Sequence, residues 1–133
     1  MYHAVESDFE KVKEIFYLHK KWFPHIRTDY MKRMIAKKNL ILENDVVITY
    51  NFYKRKQKIG DVQAYKDDCI LHQIAAKGKG TASDVLQNFF KYVNRRVYLS
   101  VRSDNDIAKN FYLRNNMKLI GKTSWAKGTL PGD

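Results

Sequence analysis

The segment from Cys69 to Leu86 constrains this chain more than any other. Cys69-Ile-Leu-His-Gln-Ile-Ala-Ala76 is an apolar run bounded by Gly78 and Gly80, and Val85, Leu86, Phe89, Phe90 and Val93 then recur at i, i+1, i+4, i+5 and i+8. The first pattern predicts a strand and the second an amphipathic helix. A strand that passes through a short glycine loop into a helix brings unpaired N–H groups and the positive end of the helix dipole to one point. A pyrophosphate fits there; a plain tight turn is the alternative. The loop is too short for a Walker A motif, lacks its Lys-Ser/Thr ending, and is not Gly-x-Gly-x-x-Gly.

The remaining elements follow from periodicity and caps. Tyr2 to Val5 reads as a short strand, and Ser7-Asp8-Phe9-Glu10 has capping-box spacing before a helix whose apolar stripe is Phe9, Val12, Phe16 and His19. Thr28 caps a second helix carrying Tyr30, Met31, Met34 and Ile35. Leu40 to Leu42 and Val46 to Tyr53 read as strands about an Asn44-Asp45 turn, with a polar tip from Lys54 to Asp68. Val97 to Val101 alternates as a strand. Ser103-Asp104 caps a helix with Ile107, Ala108, Phe111 and Tyr112 inward, closed by Asn115-Asn116, and Met117 to Trp125 is a last strand. The order predicts an α+β domain with one mixed sheet, and 133 residues suit a single domain that buries roughly two-thirds of its extended surface.

Hydrophobic residues make up 44% and glycine and proline together are few, which excludes a collagen-like or largely disordered chain. One cysteine, Cys69, cannot form an internal disulfide. His3, His19, His25 and His72 lack metal-ligand spacing, so no metal site is expected. No apolar run reaches the roughly 18 residues of a membrane span, and the first residues lack a signal-peptide pattern, so a cytoplasmic protein without a membrane partner is expected. Lysine and arginine total 25 against 14 acids, a formal charge of +11 spread over both halves of the chain. Such a field favours anionic partners, nucleic acid among them. The densest stretches are Lys20 to Lys38 and Lys54-Arg55-Lys56-Gln57-Lys58, for which a solvated surface is the competing explanation.

Two motifs resemble the GNAT superfamily of acyl-CoA-dependent N-acyltransferases. Its phosphate loop reads Gln/Arg-x-x-Gly-x-Gly/Ala before a helix, and Lys77-Gly78-Lys79-Gly80-Thr81-Ala82 matches except at the first position. Its later Asn-x-x-Ala-x-x-x-Tyr pattern is met by Asn105, Ala108 and Tyr112, followed by Asn115-Asn116 and a final strand. The resemblance is sharp over residues 69–121 and topological before that. Lysine at position 77 keeps a cation but not a planar donor fork. The segment before it is about two residues shorter than is usual in the family, and 133 − 121 = 12 residues follow Gly121, so the last strand is expected to be short or missing.

The resemblance implies a GNAT fold, acetyl-CoA as co-substrate and an amine acceptor attacked directly in a ternary complex. It implies that the backbone of Ile74, Ala75 and Ala76 meets the pantetheine and thioester, that residues 77–82 hold the phosphates, and that Asn105 bonds the pantetheine arm or orders its helix start. Tyr112 stands where the family often has its general acid; a packing role is the alternative. For the base, His72 suits proton removal near neutral pH, Asp67 and Asp68 act through water, and a bare water path is also open. The connection Lys20-Lys21-Trp22-Phe23-Pro24-His25-Ile26-Arg27 falls where the family walls its acceptor cleft. That assigns Trp22, Phe23 and His25 to the acceptor, or else to anchoring the loop. The acceptor stays open among a small amine, a protein and an amino group on nucleic acid. A basic nucleic-acid-binding module is the second reading, and a homodimer is compatible with either.

Overall fold

The computed structural model describes residues 1–24, 26–78, 80–121, 123–125 and 130–132. The chain divides into two compact units, each built from non-contiguous segments: Met1–Asn51 with Leu71–Asn94, and Phe52–Ile70 with Arg95–Asp133.

In the first unit, α1 (Phe9–Leu18) and α2 (Thr28–Ala36) precede β1 (Leu40–Glu43) and β2 (Val46–Phe52). The two strands pair antiparallel from Leu40↔Thr49 to Glu43↔Val46. Asn44 and Asp45, between them, both take positive φ (48° and 60°), the conformation a two-residue hairpin turn needs and asparagine and aspartate tolerate. The Tyr2–Val5 strand reduces to a single bridge, His3↔Ile41. The capping box also shifts: Glu6–Asp8 is a 3-10 turn, and the Asp8 carboxylate, rather than Glu10, accepts the Val5 N–H at 2.8 Å and the Tyr2 hydroxyl at 2.6 Å. Ser7 lies inside that turn, and the shorter aspartate side chain reaches the backbone three residues upstream.

Val12, Ile15 and Phe16 of α1 and Met31, Met34 and Ile35 of α2 pack with Leu40, Val47 and Ala75. Tyr50, at opposite strand parity to Val47, instead meets Phe89 of α3 (Ala82–Val93) with ring centroids 5.1 Å apart. The two helical layers therefore cover opposite faces of β2. Val85, Leu86 and Phe89 are buried, as the periodicity predicts, and Asn94 closes α3 in the left-handed region.

The strand β5 (Cys69–Ala76) begins in the second unit and continues in the first. Hydrogen-bonded strand order is β1-β2-β5-β6, where β6 is Val97–Tyr98, paired parallel with Cys69 and Ile70; the sheet is mixed.

In the second unit, the expected polar tip holds a small antiparallel hairpin, β3 (Gln57–Ile59) and β4 (Val62–Ala64). Its three-residue strands carry too little apolar alternation to stand out against four basic residues. Gly60, in the turn, has φ +54°, and a Cβ there would lie 2.5 Å from the Ile120 carbonyl oxygen. Only glycine permits that approach, which is tied by the Asp61 N–H donating to the same oxygen at 2.8 Å. Tyr53, Ala64 and Tyr98 are buried here with Ile59, Val62, Ile70 and Ile120 packed against them.

Helix α4 (Asp106–Arg114) starts one residue after Asn105, whose side chain accepts the Ala108 N–H; Asn105, not Ser103 or Asp104, is the cap. Ile107 is 81% exposed, so the inward face predicted for it is wrong: it falls in the first turn of a nine-residue helix and points to solvent. The last elements are β7 (Thr123–Trp125) and β8 (Leu130–Gly132), an antiparallel pair, so the final strand is present but three residues long.

Candidate functional site

The end of β5, the following loop and the start of α3 form one continuous element within the first unit. The turn between β1 and β2 supports it from below. Lys77 donates its N–H to the Asp45 carbonyl at 2.9 Å, and the Thr81 hydroxyl donates to the Asn44 carbonyl at 3.3 Å. A further contact anchors the strand end, where His19 Nε2 lies 2.7 Å from the Ala76 carbonyl oxygen. Both edges of the loop are thus held while its middle stays open. Gly80 takes φ +87°, and a Cβ built at either Gly78 or Gly80 meets nothing within 4 Å.

Thr81 is the N-cap of α3, but its hydroxyl serves Asn44 and makes no cap bond. The first N–H groups of an α-helix have no intrahelical acceptor, so an α3 without a side-chain cap presents donors at the mouth of a glycine loop. This is the arrangement read from the sequence, with one change at Lys77. Its ammonium lies 2.6 Å from Glu14 of α1, which raises its pKa, and its N–H is already used. Lysine 77 therefore braces the loop against α1 as well as carrying charge. Lys79 lies outside the described residues.

No family model and no curated protein matches the sequence. Solved structures do. An acetyltransferase of the GNAT family from Bacillus cereus superposes with a TM-score of 0.71 at 16% identity, over 98% of this chain and 90% of its own. Arabidopsis thaliana NAA60 in complex with acetyl-CoA gives 0.70 at 16%, over 97% and 92%. NAA60 in complex with a bisubstrate analogue gives 0.69 at 13%, over 98% and 93%.

The chain has the GNAT fold.

In this GNAT fold β5 carries two polar side chains, each engaged. His72 Nε2 lies 3.0 Å from the Asn51 amide nitrogen, whose own Oδ1 accepts from Asn39 at 2.6 Å. Burial lowers the His72 pKa, so the ring is neutral at pH 7, but the lone pair a base needs is occupied by Asn51. Gln73, which sequence reading passes over, accepts on Oε1 from the Tyr30 hydroxyl at 2.9 Å and from the Thr49 hydroxyl. A glutamine beside His72 in a mostly apolar strand and a threonine amid Val46 to Tyr50 were the visible signals. Their meeting with Tyr30 of α2 was not.

In the connection between α1 and α2, Phe23 packs edge-on to Phe16 at 6.0 Å and joins the α1–α2 core, which is an anchoring role. Trp22 is half-buried with the Lys21 ammonium 4.8 Å from its ring centroid. His25 lies outside the described residues.

The second unit holds the remaining candidates. Tyr112 is half-buried, its ring 5.5 Å from Phe111, and desolvation pushes the phenol well above its usual value. Among the described residues its hydroxyl has no hydrogen-bond partner. Asn105 Oδ1 is committed to capping α4. Asp68 is buried and accepts the Tyr65 N–H at 2.9 Å, while Asp67 occupies a left-handed turn position 3.9 Å from Arg95. Cys69 is buried, with its thiol pushed up to about 12 by desolvation, and so is no nucleophile at neutral pH.

Proposed function

We propose that this protein is an N-acetyltransferase that moves the acetyl group of acetyl-CoA to a primary amine in a ternary complex. One observation carries the reading: the glycine loop 77–81 delivers β5 into α3, whose N-cap Thr81 makes no side-chain cap bond, and a Cβ at Gly78 or Gly80 would meet nothing within 4 Å. That is chemistry for a pyrophosphate. Acetyl-CoA supplies a thioester already activated toward an amine.

The N–H groups around Gly78, Gly80, Thr81 and Ala82 would hold the phosphates, with the formal charge of +11 drawing the anion in. The strand backbone at Ile74 and Ala75 is assigned to the pantetheine and thioester; the Ala76 carbonyl is taken by His19. Tyr112 is assigned as proton donor to the leaving thiolate. The phenol carries its proton throughout the neutral range, as a donor must, while burial raises its pKa and makes it a weaker acid than a free phenol. The role of His72 is narrowed by its bond to Asn51, and removal of the amine proton falls to water. Asn105 orders the start of α4 through its cap and keeps its amide nitrogen for the pantetheine arm.

The test is incubation with acetyl-labelled acetyl-CoA and a cell extract separated into small-molecule, protein and nucleic-acid fractions. Label is expected on amines in one fraction and absent without enzyme. No label in any fraction, with no CoA bound in calorimetry, overturns the proposal and leaves the basic surface as a binding module for nucleic acid. Retention of RNA near physiological salt would then be the measurement to make.

A further inference from the structure

Gln73 has its two halves in opposite situations. Its Oε1 receives the Tyr30 hydroxyl and the Thr49 hydroxyl, which occupy both lone pairs of one carbonyl oxygen and set the direction of the amide. Thr49 is fully buried and belongs to β2; Tyr30 comes from α2. Three separate elements therefore converge to orient one side chain. Burial also raises the Tyr30 pKa, so its hydroxyl remains a donor through the neutral range.

The other half of Gln73 has no such partners. Its two Nε2–H donors meet no acceptor among the described residues, and the side chain is only half-buried. In a half-buried position such donors, held in a fixed direction, are open to water or to a ligand oxygen. An N–H donor cannot bind an ammonium ion; it needs an oxygen or another acceptor. Gln73 immediately precedes Ile74 and Ala75, the strand backbone assigned above to the thioester.

We infer that Gln73 selects the acceptor substrate by donating to an oxygen next to its amino group. The class is amines with a carbonyl or carboxylate oxygen beside the nitrogen, as in amino acids and peptide amino termini, in preference to simple alkyl amines. The inference rests on the acetyltransferase reading. Gln73 moves no proton, so its contribution belongs to acceptor binding, in KM and not in kcat.

Two substitutions separate the halves of the amide. Gln73→Glu keeps an oxygen for Tyr30 and Thr49 and removes the N–H donors; Gln73→Met removes both without adding charge. Acetyl transfer is measured for wild type and variants with glycinamide, glycine and propylamine, at one pH. Both variants are expected to raise KM for glycinamide or glycine by about tenfold or more, while KM for propylamine and kcat for all three amines change less than about threefold. Glycinamide alone being affected identifies a peptide terminus, and glycine alone a free amino acid. Equal changes for all three amines, or no change, overturn the inference.

A second readout is independent of turnover. The Gln73 side-chain amide resonances, assigned by their loss in Gln73→Met, are expected to shift on titration with glycinamide or glycine and to stay fixed with propylamine. Absence of a shift with all three overturns the inference even if CoA binds. A selective shift without CoA binding overturns the acetyltransferase reading and leaves the recognition by Gln73 standing.

Discussion

The Lys77 ammonium lies 2.6 Å from the Glu14 carboxylate, while the N–H of the same residue donates to the Asp45 carbonyl at 2.9 Å. Both ends of Lys77 are therefore engaged within the protein, at a position where the sequence pattern suggests a phosphate ligand. Both partners of the ion pair are about half-exposed, and water screens such pairs.

Lys77→Gln is expected to change CoA affinity by no more than about threefold, whereas Gly80→Val lowers it by about tenfold or more. At φ +87° a branched L-residue is strained by roughly 1–2 kcal/mol and relaxes by reshaping the loop. Gly80→Asn should fall between the two, since asparagine visits positive φ more readily. Calorimetry with CoA ranks the three; a larger loss for Lys77→Gln than for Gly80→Val would assign the phosphates to the side chain.

Tyr112→Phe is expected to lower kcat by about ten- to a thousandfold with CoA affinity nearly unchanged, the pattern of a proton donor that acts in the transition state. Steady-state kinetics and calorimetry on the same preparation check it. Unchanged turnover would make Tyr112 a packing residue and solvent the proton source.

Cys69, with its thiol at about 12, should resist alkylation. At pH 8 the thiolate fraction is on the order of 10⁻⁴, against roughly a quarter for a free thiol. Iodoacetamide should label the folded protein at least about a hundredfold more slowly than the protein in denaturant, followed by mass. Equal rates would mean that the start of β5 opens readily.

Acid should weaken the fold through its half-buried imidazoles. Burial lowers the pKa of His72 and of His3, so the unfolded chain binds protons more readily than the folded one. Their stabilisation is complete above the ordinary imidazole value of about 6.5 and is lost as pH falls through the lowered values. The denaturation midpoint is expected to drop between pH 7 and pH 5, and less steeply in His72→Gln, which can still accept from Asn51. Identical slopes would clear His72 of any part. The carboxylates of Asp8 and Asp45, whose pKa values are lowered by the Tyr2 and Lys11 hydrogen bonds, act in a separate, more acidic window.

Much of this architecture was legible residue by residue. The run Cys69 to Ala76 is a strand with those same bounds, Asn44-Asp45 is a tight turn, and Val85, Leu86 and Phe89 are buried. These signals are local: strand parity, helical spacing and the tolerance of a few residue types for positive φ all lie within about ten positions. The errors are local signals outweighed by distant partners. Ser7-x-x-Glu10 has the spacing of a cap, but Asp8 gains both the Val5 N–H and the Tyr2 hydroxyl. Gly60 reads as loop punctuation, yet its positive φ serves a close approach to Ile120, sixty positions away.

For the candidate site, the sequence by itself determined a glycine loop leading into the α3 N-terminus, because backbone donors and φ preferences depend on residue type and spacing alone. Tertiary structure decided what each side chain there can do. It turned Lys77 toward Glu14, set Asn51 against the lone pair of His72, and joined Tyr30, Thr49 and Gln73 from three elements. Each is a hydrogen bond or ion pair between residues at least twenty positions apart. Such a contact depends on how strands and helices are laid against one another, which no short stretch of sequence encodes.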